Sequence, residues 1–315
     1  MKNLRLFEVP FRSHQRFKIC QIFGGPPGEL DPETKKREKG RTTSPMTPPK
    51  YSSQAYWERR YNDEEEGSGL DWYCDYTTLA PLLHILLPEP SLGSEAAWSV
   101  LEIGCGDRPL APHLAADPHF GGAHVTAIDY ASCVVRSLRQ RERGRANINS
   151  NAGCSDGADY HLGAGASRPV TYERQDARAL VYREESFDLV LDKGTLDAML
   201  CSSDEGFGNA RKICSEAARV LRTRGCLVIV SHMSPMGEEG GAFISHSLLP
   251  ALLNQKSRGG AVSSVSAWSI DVHFQEGSEE DGPFVYAVSK HSRPATRAAC
   301  RGSSIDEIPL RLHEH

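Results

Sequence analysis

Short apolar runs alternate with amphipathic segments of helical period through most of the chain. Val100, Leu101 and Ile103 form the first run, His124 to Asp129 the second and Val170 to Arg174 a shorter third. Phe187 to Leu191 and Cys226 to Val230 are the fourth and fifth. Runs this short, bounded by turn residues, predict buried parallel strands. Between them, Ala131 to Arg143 turns Val134, Val135 and Leu138 inward. Ile213, Ala217, Val220 and Leu221 mark another helix, with Gly225 placed as its C′ residue. Upstream, Ser52 or Ser53 can cap a helix holding Tyr56, Trp57 and Tyr61. Thr77 or Thr78 caps a second, in which Leu79, Leu82, Leu83 and Leu86 share one face. Phe243 to Asn254 predicts a further helix. Val262 to Phe274 and Phe284 to Ser289 alternate as a hairpin would across an acidic loop. This order predicts an α/β, doubly wound, mostly parallel sheet of seven strands, with the antiparallel hairpin at one edge.

Composition trims the domain. Residues 1 to 50 hold Gly24-Gly25-Pro26-Pro27, the charged Lys35 to Arg41 and the turn-rich Thr42 to Pro49. They read as a disordered or targeting extension. Lys2, Arg5, Arg12, Arg16 and Lys18 against Glu8 suit either a transit peptide or an ordinary basic tail. Residues 144 to 169 are Asn/Gly/Ser/Ala-rich and read as a flexible insertion, and 291 to 315 as a mobile tail. Residues 51 to 290 remain as the folded domain. A net charge of -5 implies no general attraction to nucleic acid or membrane, and no apolar run reaches the length of a membrane span. The nine cysteines include no C-x-x-C pair and no metal-ligand spacing. They read as reduced core residues of an intracellular protein, cytoplasmic unless the N-terminus is a transit peptide.

The chemistry centres on Leu101-Glu102-Ile103-Gly104-Cys105-Gly106, a strand running into a glycine turn, with Pro109 and Leu110 opening a helical pattern. A dinucleotide site wants a third glycine where Pro109 stands, and Glu102 suits a pyrophosphate poorly. An acid two residues before the first glycine suits a ligand that carries an ammonium group, such as S-adenosylmethionine. Ligands of doubly wound sheets bind beyond the carboxyl ends of the strands. Asp129, at the end of the second strand, is placed to accept both ribose hydroxyls, or merely to cap the next helix. Asp176, with Ala177 beside it, is placed for an adenine amino group, or is a plain turn residue. Tyr130, after Asp129, and Asp192, at the end of the fourth strand, are expected as further cofactor contacts.

The succession YWERRY, DWYCDY, LEIGCG, VTAIDYA, QDAR, FDLVLDKGTLDAML and ARVLRTRGCLVIV resembles the methyltransferase-like protein lysine methyltransferases. That group includes the elongation factor 1A and citrate synthase lysine methyltransferases. The similarity runs from about residue 53 to 290, and the FDLVLDKGTLDA stretch is its most specific part. The resemblance implies a class I, Rossmann-like fold, S-adenosylmethionine as donor and a protein lysine as acceptor. It carries Gly104, Gly106 and Asp129 over as cofactor contacts. Where many amine methyltransferases have asparagine-proline-proline-tyrosine, this chain has Asp192-Lys193-Gly194-Thr195, so the acceptor chemistry rests on other groups.

A lysine ammonium has no lone pair, and near neutral pH only about one in a few thousand is deprotonated. Asp192 and Asp197 are therefore expected to hold the arriving ammonium beside the transferring methyl. Trp72, Tyr73 and Tyr76 are expected to wall its stem, unless they are core packing. Lys193 reads as an ion-paired neighbour rather than a base. A small-molecule methyltransferase and a non-catalytic cofactor-binding scaffold remain as alternatives, because the fold does not choose the acceptor. Oligomeric state is not legible.

Overall fold

The structure is a computed structural model that describes residues 50–63, 72–87, 97–120, 122–151, 168–202, 205–255, 264–275, 282–294 and 308–315. Its centre is an eight-stranded sheet of order β3-β2-β1-β4-β5-β7-β6-β8. The strands are β1 (Ser99–Ile103), β2 (His124–Asp129), β3 (Thr171–Arg174), β4 (Phe187–Lys193), β5 (Leu221–Ser231), β6 (Ser264–Phe274), β7 (Phe284–Pro294) and β8 (Leu310–Glu314). The first five are mutually parallel. Register lines up their carboxyl ends, since Ile103 lies opposite both Ile128 and Asp192.

Strand period splits the core into two layers. Leu101, Ile103, Val190 and Leu227 face one way, onto α6 (Gly206–Val220) and the segment from α7 (Glu238–Phe243) through a π turn (Ile244–Leu248) to α8 (Leu249–Leu253). Val100, Leu189, Leu191 and Val228 face the other way. They meet α1 (Gln54–Asp63), α2 (Tyr76–Leu86), α3 (Ala111–Ala116) and α4 (Ser132–Asn151). The remaining helix, α5 (Thr195–Leu200), follows β4 directly.

Several sequence expectations need correction. Asp75, not Thr77 or Thr78, caps α2, its side chain accepting the Thr78 N–H at 2.9 Å. Gly225 does not end a helix. α6 stops at Val220, and Gly225 lies within β5, where a Cβ would come 2.7 Å from the Asp188 carbonyl oxygen. A glycine in a strand marks such a close backbone approach, which looks in sequence like a helix stop. Helix α4 continues to Asn151, into the expected insertion. The rest of that insertion, residues 152–167, and residues 1–49 of the expected extension lie outside the described residues.

The hairpin forms, but β7 slots between β5 and β6, antiparallel to both. The expected tail supplies the end of β7 and the whole of β8, which pairs parallel with β6. Leu310 and Leu312 pack against the core, and between them Arg311 reaches Asp271 at 3.1 Å. His313 reaches the same carboxylate at 2.7 Å. Charge on every second residue made β8 read as tail, but it is what an edge strand shows when one face is solvated.

Substituting Leu312→Asp should loosen β8. A part-buried leucine on this face contributes roughly 1–2 kcal/mol. Thermal denaturation should show Tm lower by a few degrees, and an unchanged Tm would mean that β8 adds nothing to the folded domain.

Candidate active site

Four acids stand at the carboxyl ends of successive parallel strands, and each first serves the backbone that follows it. Glu102, buried in β1, accepts the Leu110 N–H with one oxygen and the Ala111 N–H with the other, both at 2.8 Å. It caps α3, whose own start offers no side-chain cap. Asp129 accepts the Ala131 N–H at 2.8 Å and the Gly106 N–H at 3.1 Å, tying the end of β2 to the glycine turn after β1. Asp176 accepts the Arg178 N–H at 2.9 Å and pairs with the Arg178 guanidinium at 2.7 Å. Asp192 accepts the Leu196 N–H at 3.3 Å at the start of α5.

Between these ends opens a cavity of about 900 Å³, walled by Glu102, Gly106, Asp129, Tyr130, Ala177 and Thr195 among others. Gly104 takes φ +59, and a Cβ there would meet Thr195 Oγ1 at 2.0 Å. Its glycine is thus required by Thr195, which donates to the Ile103 carbonyl at 3.1 Å, as well as by the turn. Burial pushes the Asp129 carboxyl up to about 6 even though the backbone N–H groups of Ala131, Gly106 and Tyr130 oppose the shift. The buried Tyr130 hydroxyl has no hydrogen-bond partner among the described residues. A buried carboxylate and an unsatisfied hydroxyl, both facing the same cleft, fit a ligand that brings its own hydroxyls and amino groups. S-adenosylmethionine meets that description.

An aromatic segment closes the cavity, and sequence reasoning missed most of it. Trp57, Tyr61 and Trp72 line the wall. Trp57 stacks on Tyr61 at 5.6 Å, and the Arg60 guanidinium lies 5.5 Å from the Trp72 ring centre. Glu58 fixes this segment by accepting the Ser132 N–H at 2.6 Å and the Cys133 N–H at 3.2 Å. Burial would raise the Glu58 carboxyl, but these bonds bring it down to about 2. Lys193 donates to the Trp72 carbonyl at 3.1 Å and so ties the lid to the end of β4. The YW-x-x-RY motif signalled this lid, but the sequence does not say where it docks.

The acceptor-side expectations fare unevenly. Trp72 lines the cavity. Tyr76 does not serve the acceptor: it is buried, donates to Asp117 at 2.6 Å and stacks on His113. Core packing explains it. Tyr73 lies against the turn after β4, where a Cβ on Gly194 (φ +82) would come 3.2 Å from its ring. Asp192 and Asp197 are each 1% exposed and sit behind the wall formed by Lys193, Gly194 and Thr195. Neither lines the cavity, which corrects the expectation that they stand open beside the transferring methyl and that Asp192 touches the cofactor. Asp197 accepts from Ser231 Oγ at 2.9 Å and from the His232 N–H at 3.3 Å. One oxygen of each carboxyl, Asp192 Oδ1 and Asp197 Oδ2, is buried without a partner among the described residues. Burial raises both, Asp192 to about 8 with help from the Asp197 charge, and Asp197 to about 7. Burial and these two acids push the Tyr73 phenol up in turn.

The strand order, the reversed β7 and a cavity at the carboxyl end of β1 define a class I S-adenosylmethionine-dependent methyltransferase. A methyltransferase-domain family model matches residues 101–229. The mouse protein "EEF1A lysine methyltransferase 4" is 30% identical over 207 residues, covering 61% of this chain and 68% of that protein. The chain belongs to the same methyltransferase family as that protein. The zebrafish "eEF1A lysine and N-terminal methyltransferase" is 30% identical over 188 residues, which are 59% of this chain but 22% of that protein. A solved S-adenosylmethionine-dependent methyltransferase from Methanosarcina mazei is 17% identical, covers 69% of this chain and 98% of its own, and has a TM-score of 0.43.

Replacing Asp129 by alanine should weaken S-adenosylmethionine binding roughly ten- to a hundredfold, the worth of a charge-assisted hydrogen bond. Calorimetry on the folded variant measures it, and an unchanged Kd would remove Asp129 from the cofactor site.

The buried acids also set a pH dependence. An unfolded aspartate ionises near pH 4. Folded Asp192 and Asp197 keep their protons to about 8 and 7. Across that interval the folded state binds more protons, so stability falls as pH rises and levels off above the higher value. Asp192→Asn should lose less Tm than wild type between pH 5 and 8.5. An identical decline in both proteins would mean that Asp192 ionises freely.

Proposed function

We propose that this methyltransferase acts on a lysine side chain of a protein, with elongation factor 1A as the first substrate to try. The observation that carries the reading is the buried carboxyl pair: Asp192 and Asp197 each keep one unpartnered oxygen behind the turn that walls the cofactor cavity. The Asp197 charge is felt at Asp192, and a cation arriving beside them would favour the ionised form of both. The names of the mouse and zebrafish relatives point to the same substrate class.

Bound S-adenosylmethionine supplies a methyl group on a positively charged sulfur. The chain's residues supply alignment and a place for a proton. The Gly106 turn, Asp129 and Tyr130 would hold the donor at the carboxyl end of the sheet, under the lid of Trp57, Tyr61 and Trp72. The lid excludes water, which raises the worth of each charge inside. A lysine ammonium that reached the carboxyl pair would draw it into its ionised form; that carboxylate would orient the ammonium and take its proton, leaving the amine lone pair free to attack the methyl. A carboxyl raised toward neutral pH is matched to that task. Aligning two bound reactants supplies a large part of the remaining acceleration.

Incubation with methyl-labelled S-adenosylmethionine and recombinant elongation factor 1A tests this. Label should appear in the protein band, and mass spectrometry should place it on lysine. Label confined to small molecules of a cell extract would favour the small-molecule reading instead.

A further inference from the structure

We propose that Glu58 is a positioning residue for the cofactor: it latches the lid to the junction between β2 and α4, so that the lid and Asp129 close on S-adenosylmethionine as one unit.

The start of α4 needs acceptors that its own residues do not supply. Ala131 stands immediately before the helix, its carbonyl accepting the Val135 N–H, and its side chain can accept nothing. Two carboxylates from other elements share the N–H groups left over. Asp129, at the end of β2, takes that of Ala131. Glu58, from α1, takes those of Ser132 and Cys133, one with each oxygen. A helix that opens beside the cofactor cavity is thus capped by the lid.

The contacts continue into a ring. Gln54, Glu58 and Tyr61 fall at i, i+4 and i+7, on one face of α1. Gln54 donates to the Tyr130 carbonyl at 2.7 Å. Tyr61 reaches the glycine turn, where a Cβ on Gly106 would lie 3.0 Å from its hydroxyl. The Gly106 N–H in turn donates to Asp129. One face of α1 therefore touches both segments that Asp129 joins. Tyr61, Gly106, Asp129 and Tyr130 line the cavity, and Glu58 does not. Its influence on a ligand must pass through these neighbours. Besides burial, the Glu58 charge helps to push the Asp129 carboxyl up, so the two acids are linked electrostatically as well. Without the latch the lid is in place only part of the time, and the apparent Kd rises by the inverse of that fraction.

Glu58→Gln tests the latch. The amide keeps the shape, loses the charge and turns N–H groups toward a backbone N–H. In calorimetry its Kd for S-adenosylmethionine should rise about tenfold or more. Stopped-flow tryptophan fluorescence should show faster dissociation. Adding Ala131→Ser gives α4 a cap of its own. In this double variant the Kd should stay raised, because the lid is still unlatched. Recovery of wild-type affinity there would reduce Glu58 to a helix cap and overturn the proposal, as would a wild-type Kd in Glu58→Gln. If neither variant folds, the wild-type protein decides. Hydrogen exchange in α1 and in residues 130–133 should slow together when S-adenosylmethionine is added, and unchanged exchange in α1 would overturn the latch.

Discussion

Each parallel strand of this sheet ends on the same edge, and each is followed by a turn or helix start whose N–H groups lack partners. The acids at those ends satisfy them. Glu102 closes α3, Asp129 joins the β2 end to the glycine turn, Asp176 folds its own turn, and Asp192 holds the start of α5. Hydrogen bonds of this kind, to a charged acceptor, contribute about 1.5–3 kcal/mol each. They fix the loop geometry on which the cavity depends. Binding is thus grafted onto groups that the fold already requires. Glu102, Asp129 and Asp176, which line the cavity, keep acceptor capacity for a ligand, since a carboxylate accepts more than two hydrogen bonds.

The pair Asp192–Asp197 is the exception. Its open oxygens satisfy nothing in the fold, and burial drives both acids toward the neutral form. A hydrophobic pair of similar volume would be more stable there. Stability given up at one place while the surrounding layers pack fully is what a site, rather than a core, would show. Leu196, Met199 and Leu200 from the same short helix are buried in the ordinary way, so the unfavourable burial is confined to the acids.

The lid follows a different logic. Among the described residues, no backbone hydrogen bond joins α1 to a strand. Side chains tie it and the adjoining Trp72 in place: Glu58 on the start of α4, Gln54 on the Tyr130 carbonyl at 2.7 Å, and Lys193 on the Trp72 carbonyl. Aromatic contacts from Tyr51 through Trp57 to Trp72 add dispersion and edge-to-face attraction. An element held by a few such ties can open at smaller cost than a strand can, as access to an enclosed cofactor requires.

The sequence by itself determined the five parallel strands, the hairpin, the edge at which chemistry would occur and the helices other than α5, which was not legible. These follow from apolar period and from the position of acids and glycines, which are local properties of the chain. It also placed Gly106, Asp129, Tyr130 and Ala177 at one cavity. What each acid does was not local. Whether Asp192 faces a ligand or a helix N–H depends on how β4 and α5 meet, and that is settled by packing. The tertiary structure alone decided that Thr195 demands the glycine at 104, that Gly225 lets β5 lie close against the β4 backbone and that Tyr76 belongs to the core. It also decided that the last residues close the sheet. β8 is too short and too charged to declare itself, and it becomes a strand only because β6 offers an unpaired edge.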